Sequence, residues 1–187
     1  MTTDRKMEDV VFITTHAEKG KGANPGMTPV GKEQIRALRG LLPKEPPEVV
    51  CGTARRNIEI ARELGLTPTR YTVVAGDCGS LEEKMDGTRV IVFADGTEVP
   101  YNHDMVTTAN DLQGPAVELV VTVKPLTVIC SGRPIMLALA AAGYNPVDGP
   151  GKSGRVYKVT RDNGKIVRIE AVNPNATGDS GFGKAEV

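Results

Sequence analysis

The chain contains only two histidines, and one of them, His16, closes an apolar, β-branched run, DVVFITT at residues 9–15. An imidazole at a strand end can act as a nucleophile, a proton carrier or an anion ligand, depending on which ring nitrogen keeps its lone pair. Two other segments end in the same way. The run EVVCG at 48–52 leads through Thr53 into a stretch whose first turn carries Arg55 and Arg56, and LTVICS at 126–131 ends at Ser131 and leads through Gly132 to Arg133. A helix that starts at such a place presents unbonded N–H groups and a partial positive charge. Added to His16, Arg56 and Arg133, two such starts form a pocket for an oxyanion, phosphate above all. Thr15 and Ser131 supply hydroxyl donors at its floor.

The elements that must position these residues follow from pattern. Residues 9–15 read as a strand buried on both faces, as in a parallel sheet. A glycine-rich loop covers 16–27, and a helix begins at Thr28-Pro29, with threonine as N-cap and proline at the first position. Ile35, Leu38 and Leu42 share its apolar face. A strand at 48–52 leads into a helix at 53–64, capped by Thr53 and stopped by Gly65, and a third strand follows at 70–75. The order βαβαβ predicts an α/β three-layer sandwich with a mostly parallel central sheet. Beyond it the pattern predicts a hairpin at 88–100 turning at Asp95-Gly96 and a helix at 103–123 interrupted by Gly114-Pro115. A buried strand at 126–131, a helix at 132–143 and an antiparallel hairpin at 155–172 turning at Asn163-Gly164 complete it. Residues 1–172 read as one domain, and the Gly-, Ser- and Asn-rich tail 173–187 as disordered.

Composition narrows the function. The 23 basic and 23 acidic residues cancel and form no block, which gives no support for nucleic-acid binding or a polybasic membrane surface. No run of 18 apolar residues spans a membrane, and the polar N-terminus is no signal peptide. Cys51, Cys78 and Cys130 are widely spaced, without a CxxC pair, and two histidines do not complete a zinc site; they read as reduced thiols of a cytoplasmic protein that needs no metal or cofactor. Cys51 and Arg56 are too close in sequence for a cysteine-phosphatase loop, and Gly20, Gly22 and Gly26 are not followed by Gly-Lys-Ser/Thr.

The succession THAE, MTPVGKEQIRAL, VVCGTARRNIEIA, VICSGRPIMLALAAAG and VYKV resembles the histidine phosphatase superfamily, the phosphoglycerate-mutase-like proteins. The likeness covers roughly residues 9–65 and 126–160 and is strongest at Thr28 to Leu38 and Thr53 to Ala61. It implies that His16 is the nucleophile that becomes phosphohistidine, that Arg56 binds phosphate, and that Glu18 matches the Glu of the first motif. It also implies an acid in the middle region to protonate the leaving oxygen, for which Asp77, Glu82 and Glu83 are the candidates. Its partner would be a small phosphorylated molecule, a phosphoprotein or inorganic phosphate.

The departures are equally specific. The family's arginine before the nucleophile is Thr15, the following glycine is Ala17, and the second histidine is Ser131. Each lost electrostatic contact costs roughly 3–4 kcal/mol at the transition state. Arg133, Arg55 and His103 are the candidates for restoring charge. Arg56 has a competing use as an ion-pair partner of Glu59 or Glu63 on its own helix. The expectation is therefore a divergent phosphatase or a catalytically silent relative that binds an anion or a protein.

Overall fold

In the computed structural model, the residues described are 9–21, 25–76, 80–92, 98–100 and 113–174. The chain runs β1 (Val10–Thr15), α1 (Pro29–Ala37), β2 (Val49–Cys51), α2 (Arg55–Glu63), β3 (Arg70–Tyr71), β4 (Ser80–Glu83), β5 (Arg89–Val92) and β6 (Glu98–Pro100). It continues through α3 (Gln113–Thr122), β7 (Val128–Ser131), α4 (Arg133–Ala141), β8 (Val156–Asp162) and β9 (Lys165–Ala171).

Six strands form the central sheet in the order β3-β2-β7-β1-β8-β9. The first four are mutually parallel, and β8 and β9 extend the sheet in antiparallel fashion. Strand alternation divides the core in two. Val11, Ile13, Val50, Ile129, Tyr157 and Val159 pack with α3 and α4, through residues such as Leu119, Ile135 and Leu139. Cys51, Val128, Cys130 and Val156 face the other way and pack with Ile35 of α1, Ile60 and Ala61 of α2, and Leu64 just past its end. This is the three-layer sandwich with a mostly parallel sheet that the pattern predicts.

Local chemistry explains where the elements begin and end. Thr28 caps α1 by accepting the Gly31 N–H at 3.1 Å, and Pro29 sits in the first turn. Gly65, at φ 66°, turns the chain away from the end of α2, and Asn163-Gly164 turns the β8–β9 hairpin with both residues at positive φ. Three expectations change. Thr53 does not cap α2, because its hydroxyl donates to the Gly76 carbonyl; Ala54 holds the cap position without a side-chain bond. The third strand stops at Tyr71, because Thr72 turns the backbone, accepting the Val74 N–H on its hydroxyl and the Ala75 N–H on its carbonyl. The stretch at 80–83, to which the pattern assigns no element, is strand β4, paired with β5 around a turn at Asp86-Gly87. The expected turn at Asp95-Gly96, the segment 103–112 and the tail from 175 lie outside the described residues.

Gly31 shows how tightly the first loop and α1 are joined. A Cβ there would lie 2.1 Å from the Glu18 carbonyl oxygen, a backbone atom that cannot swing away. Gly31→Ala is expected to cost roughly 1–3 kcal/mol by forcing helix and loop apart. Urea unfolding checks this, and an unchanged midpoint would contradict the close approach.

Candidate functional site

The parallel register brings three strand ends to one line. Thr15 pairs with Ser131, and Cys51 pairs with Cys130. Backbone bonds continue past the strands: His16 N–H donates to Ser131 O, Gly52 N–H to Cys130 O and Gly132 N–H to Ala75 O. The carboxyl ends of β1, β2 and β7 therefore meet, as do the starts of α2 and α4. Neither helix has a side-chain cap, and neither has an acidic residue in its first turn. Both dipoles thus add positive potential at this end of the sheet.

His16 is buried, with 3 % of its surface exposed. Its Nδ1 donates to the carbonyl of Ala17 at 2.9 Å, which makes Nε2 the nitrogen with the lone pair. Burial, opposed in part by that hydrogen bond and assisted by the charges of Arg56 and Lys19, lowers its pKa to about 4. At neutral pH the ring is neutral and Nε2 is a base and a nucleophile. Arg56 thus lies close enough to act on His16 electrostatically. Lys19, which the sequence did not single out, belongs to the same group: burial and the Arg56 charge lower its own pKa. The loop that carries it is pinned by a bridge between Lys19 and Met27 and by Gly20 N–H donating to Gly26 O.

The two carboxylates of α2 are engaged by other cations. Glu59 is taken by Arg55 at 3.4 Å, by Lys32 at 3.7 Å and by the Met27 N–H at 2.5 Å; Glu63 pairs with Arg36 at 2.7 Å. Arg55 therefore helps to hold α2 against the first loop. Glu18 accepts from the Thr28 hydroxyl at 2.7 Å and so joins the strand-end loop to the cap of α1.

The hydroxyls at the floor are engaged with backbone. Thr15 donates to Lys152 O at 2.7 Å and accepts the Arg155 N–H at 3.1 Å. Ser131 donates to Gly132 O at 2.8 Å. Each would have to rotate to serve an anion. Arg133 opens α4 at the same end of the sheet, and its side chain lies outside the described part of the structure. Asp77 and His103 lie outside the described residues. Glu82 and Glu83 are exposed neighbours on β4, in a separate three-stranded sheet, so their side chains leave opposite faces and at most one can turn toward any given site.

Asn57, next to Arg56, is a further polar group at the strand ends. It is fully buried, and neither carboxamide atom has a hydrogen-bond partner among the described residues. A Cβ at Gly52 would lie 2.3 Å from its Nδ2, and one at Gly76 would lie 1.9 Å away, so two glycines leave the slot that holds it. Cys51 and Cys130 are free thiols buried under this floor. Burial raises both, Cys130 up to about 12, so neither is a nucleophile. Among the described residues no cluster of metal-ligating side chains occurs, and no helix is long and apolar enough to cross a membrane.

The His16 environment carries a pH signature. Below pH 6.5 the unfolded chain takes up a proton that the folded chain refuses until about pH 4. Stability from this group is full above pH 6.5 and falls as pH drops through that window, by about 3 kcal/mol in all. Unfolding curves of wild type and His16→Ala should diverge there, the variant losing less stability; parallel curves would contradict the neutral, buried imidazole.

No family model matches the chain, and no curated protein sequence matches it. Among solved structures the fold recurs. TTHB049 from Thermus thermophilus superimposes with a TM-score of 0.54 at 15% identity, over 86% of this chain and 98% of that one. Rv3214 from Mycobacterium tuberculosis does so with a TM-score of 0.54 at 16% identity, over 91% and 96%. A phosphoglycerate mutase from Thermus thermophilus gives 0.53 at 14% identity, over 86% and 97%. At such identities the likeness establishes the fold, which is phosphoglycerate-mutase-like.

Proposed function

We propose that the protein is a divergent histidine-phosphatase-like protein that hydrolyses a phosphomonoester through a phosphohistidine at His16. The observation that carries this reading is the state of His16: a buried, neutral imidazole, held through Nδ1 by Ala17 O, with Arg56 and Lys19 near enough to lower its proton affinity. Neutral nucleophile and surrounding positive charge are what attack on a phosphate dianion requires. In the first step the Nε2 lone pair forms a bond to phosphorus, and the ester P–O bond breaks with its electrons on the leaving oxygen, which takes a proton. In the second, water attacks the same phosphorus and gives a proton to the carboxylate left by the first step, the P–N bond breaks with its electrons returning to Nε2, and inorganic phosphate leaves. Arg56 and the N–H groups at the starts of α2 and α4 neutralise the equatorial oxygens, and Lys19 stands in for the arginine absent at Thr15. Arg133 is proposed as a further ligand, Thr15 and Ser131 as hydroxyl donors after rotation, and Glu82 or Glu83 as the acid. The substrate is a small phosphorylated molecule or a phosphoprotein.

A second reading rests on a specific observation: the hydroxyls at positions 15 and 131, where the resembling family has arginine and histidine, donate to backbone carbonyls. In that reading the pocket binds an anion without turning it over.

The two part on experiment. On a panel of phosphorylated metabolites, His16→Ala is expected to abolish turnover, and Arg56→Ala to lower it by about 100- to 1000-fold. Activity undiminished in His16→Ala would remove the nucleophile assignment. Because His16 protonates only near pH 4, the wild-type rate should not fall through pH 6.5 on the acid side from this group.

A further inference from the structure

Two arginines on one stretch of chain are buried in contrasting ways. Arg161, near the end of β8, is 6 % exposed and fully used: it donates to Asp9 Oδ1 from Nε at 3.0 Å and to Val120 O and Val123 O at 2.8 Å each. Arg155, just before β8, is 4 % exposed, and its guanidinium makes one long bond, from Nη1 to the carbonyl of its neighbour Gly154 at 3.4 Å. Among the described residues no carboxylate lies within ion-pair distance of it. An uncompensated buried charge is costly, and a guanidinium offers five donors in a planar fork that suits an oxyanion.

Arg155 does not face closed protein. It lines a shallow hollow that opens to solvent, together with Lys152, Tyr157, Pro150 and Asp148. The hollow has a fixed wall: Tyr157 Oη accepts the Lys152 N–H at 2.6 Å, and Thr15 holds both Lys152 O and the Arg155 N–H. The one carboxylate among the described residues that line it, Asp148, accepts the Ala171 N–H at 2.7 Å. The charged side chains among the described residues that line it are Lys152, Arg155 and Asp148.

The register places the Arg155 side chain on the opposite face of the sheet from α2, although its backbone shares Thr15 with the strand-end pocket. In the β1–β8 ladder Arg155 follows as the residue opposite Thr15, so its side chain leaves the face that carries Tyr157, α3 and α4. Arg56 arrives from α2, on the other face. We infer that Arg155 anchors a second anion site, which takes the carboxylate or phosphate group of a small molecule between its guanidinium and Lys152. The site does not depend on phosphoryl transfer at His16 and stands or falls separately from it.

Arg155→Met tests this in the full-length chain, with inorganic phosphate and acetate as probes, in Arg56→Ala as the background so that the other pocket is silent. In buffer without oxyanions the Met variant should unfold no lower than its parent, since it removes a buried charge without a counter-ion. The probe should raise the melting temperature of the parent, and Arg155→Met should weaken its apparent affinity at least about tenfold. A response to phosphate alone assigns the site to phosphoryl groups, and a response to acetate alone assigns it to carboxylates. Equal probe responses with and without Arg155, or a Met variant that unfolds well below its parent without any probe, would overturn the site and make Arg155 a structural residue with a water-filled hollow. Should Arg155→Met not fold, the Arg155 Nε–H resonance of the parent, assigned by its loss in Arg155→Lys, must shift with added probe; a resonance indifferent to both anions overturns the proposal as well.

Discussion

Everything at the candidate site depends on the register in which β1, β7 and β2 lie side by side. Because Thr15 pairs with Ser131 and Cys51 with Cys130, the three strands end together. The backbone bonds of His16, Gly52 and Gly132 then carry the alignment one residue further, into the turns. A slip of one residue along β1 would turn His16 to the opposite face and bury Thr15 among the residues that contact α2. Such a slip would also strip the buried Thr15 hydroxyl of Lys152 O and of the Arg155 N–H, which opposes it. The core thus holds one imidazole, two helix starts and two glycine turns within reach of each other.

Burial then decides the chemistry. The same desolvation that makes His16 neutral raises the thiols of Cys51 and Cys130 and takes them out of consideration. The charges that act on the ring are those of Arg56 and Lys19, while Glu59 and Glu63 are taken by Arg55, Lys32 and Arg36. Glu18 is engaged by the Thr28 cap. The carboxylates in this region therefore fasten α1, α2 and the first loop, and positive charge sets the potential at the strand ends.

Much of this was legible in the residues. The β-branched runs, Thr28-Pro29, Gly65 and Asn163-Gly164 announce their elements because each acts through local backbone preference. What escaped depends on distant partners. Thr53 has the chemistry of an N-cap, but Gly76, 23 residues on, takes its hydroxyl. The Asp86-Gly87 turn was a usable signal for β4 that the charged run around it obscured. Lys19 lies outside the motifs, and Asn57 lies inside TARRNIEIA at a position the resemblance gives no role; their importance comes from which backbone they fold against. Arg155 is of the same kind, since nothing in its sequence neighbours says that its guanidinium lacks a carboxylate.

The central claim is that His16 Nε2 attacks phosphorus. Its most direct test is acid-free quenching of the protein with a phosphomonoester that it turns over, followed by intact mass and peptide mapping. The account predicts a phosphoryl group on His16, labile to acid and absent from His16→Ala. Turnover with no phosphoryl-protein at any quench time, or a label on another residue, would contradict it.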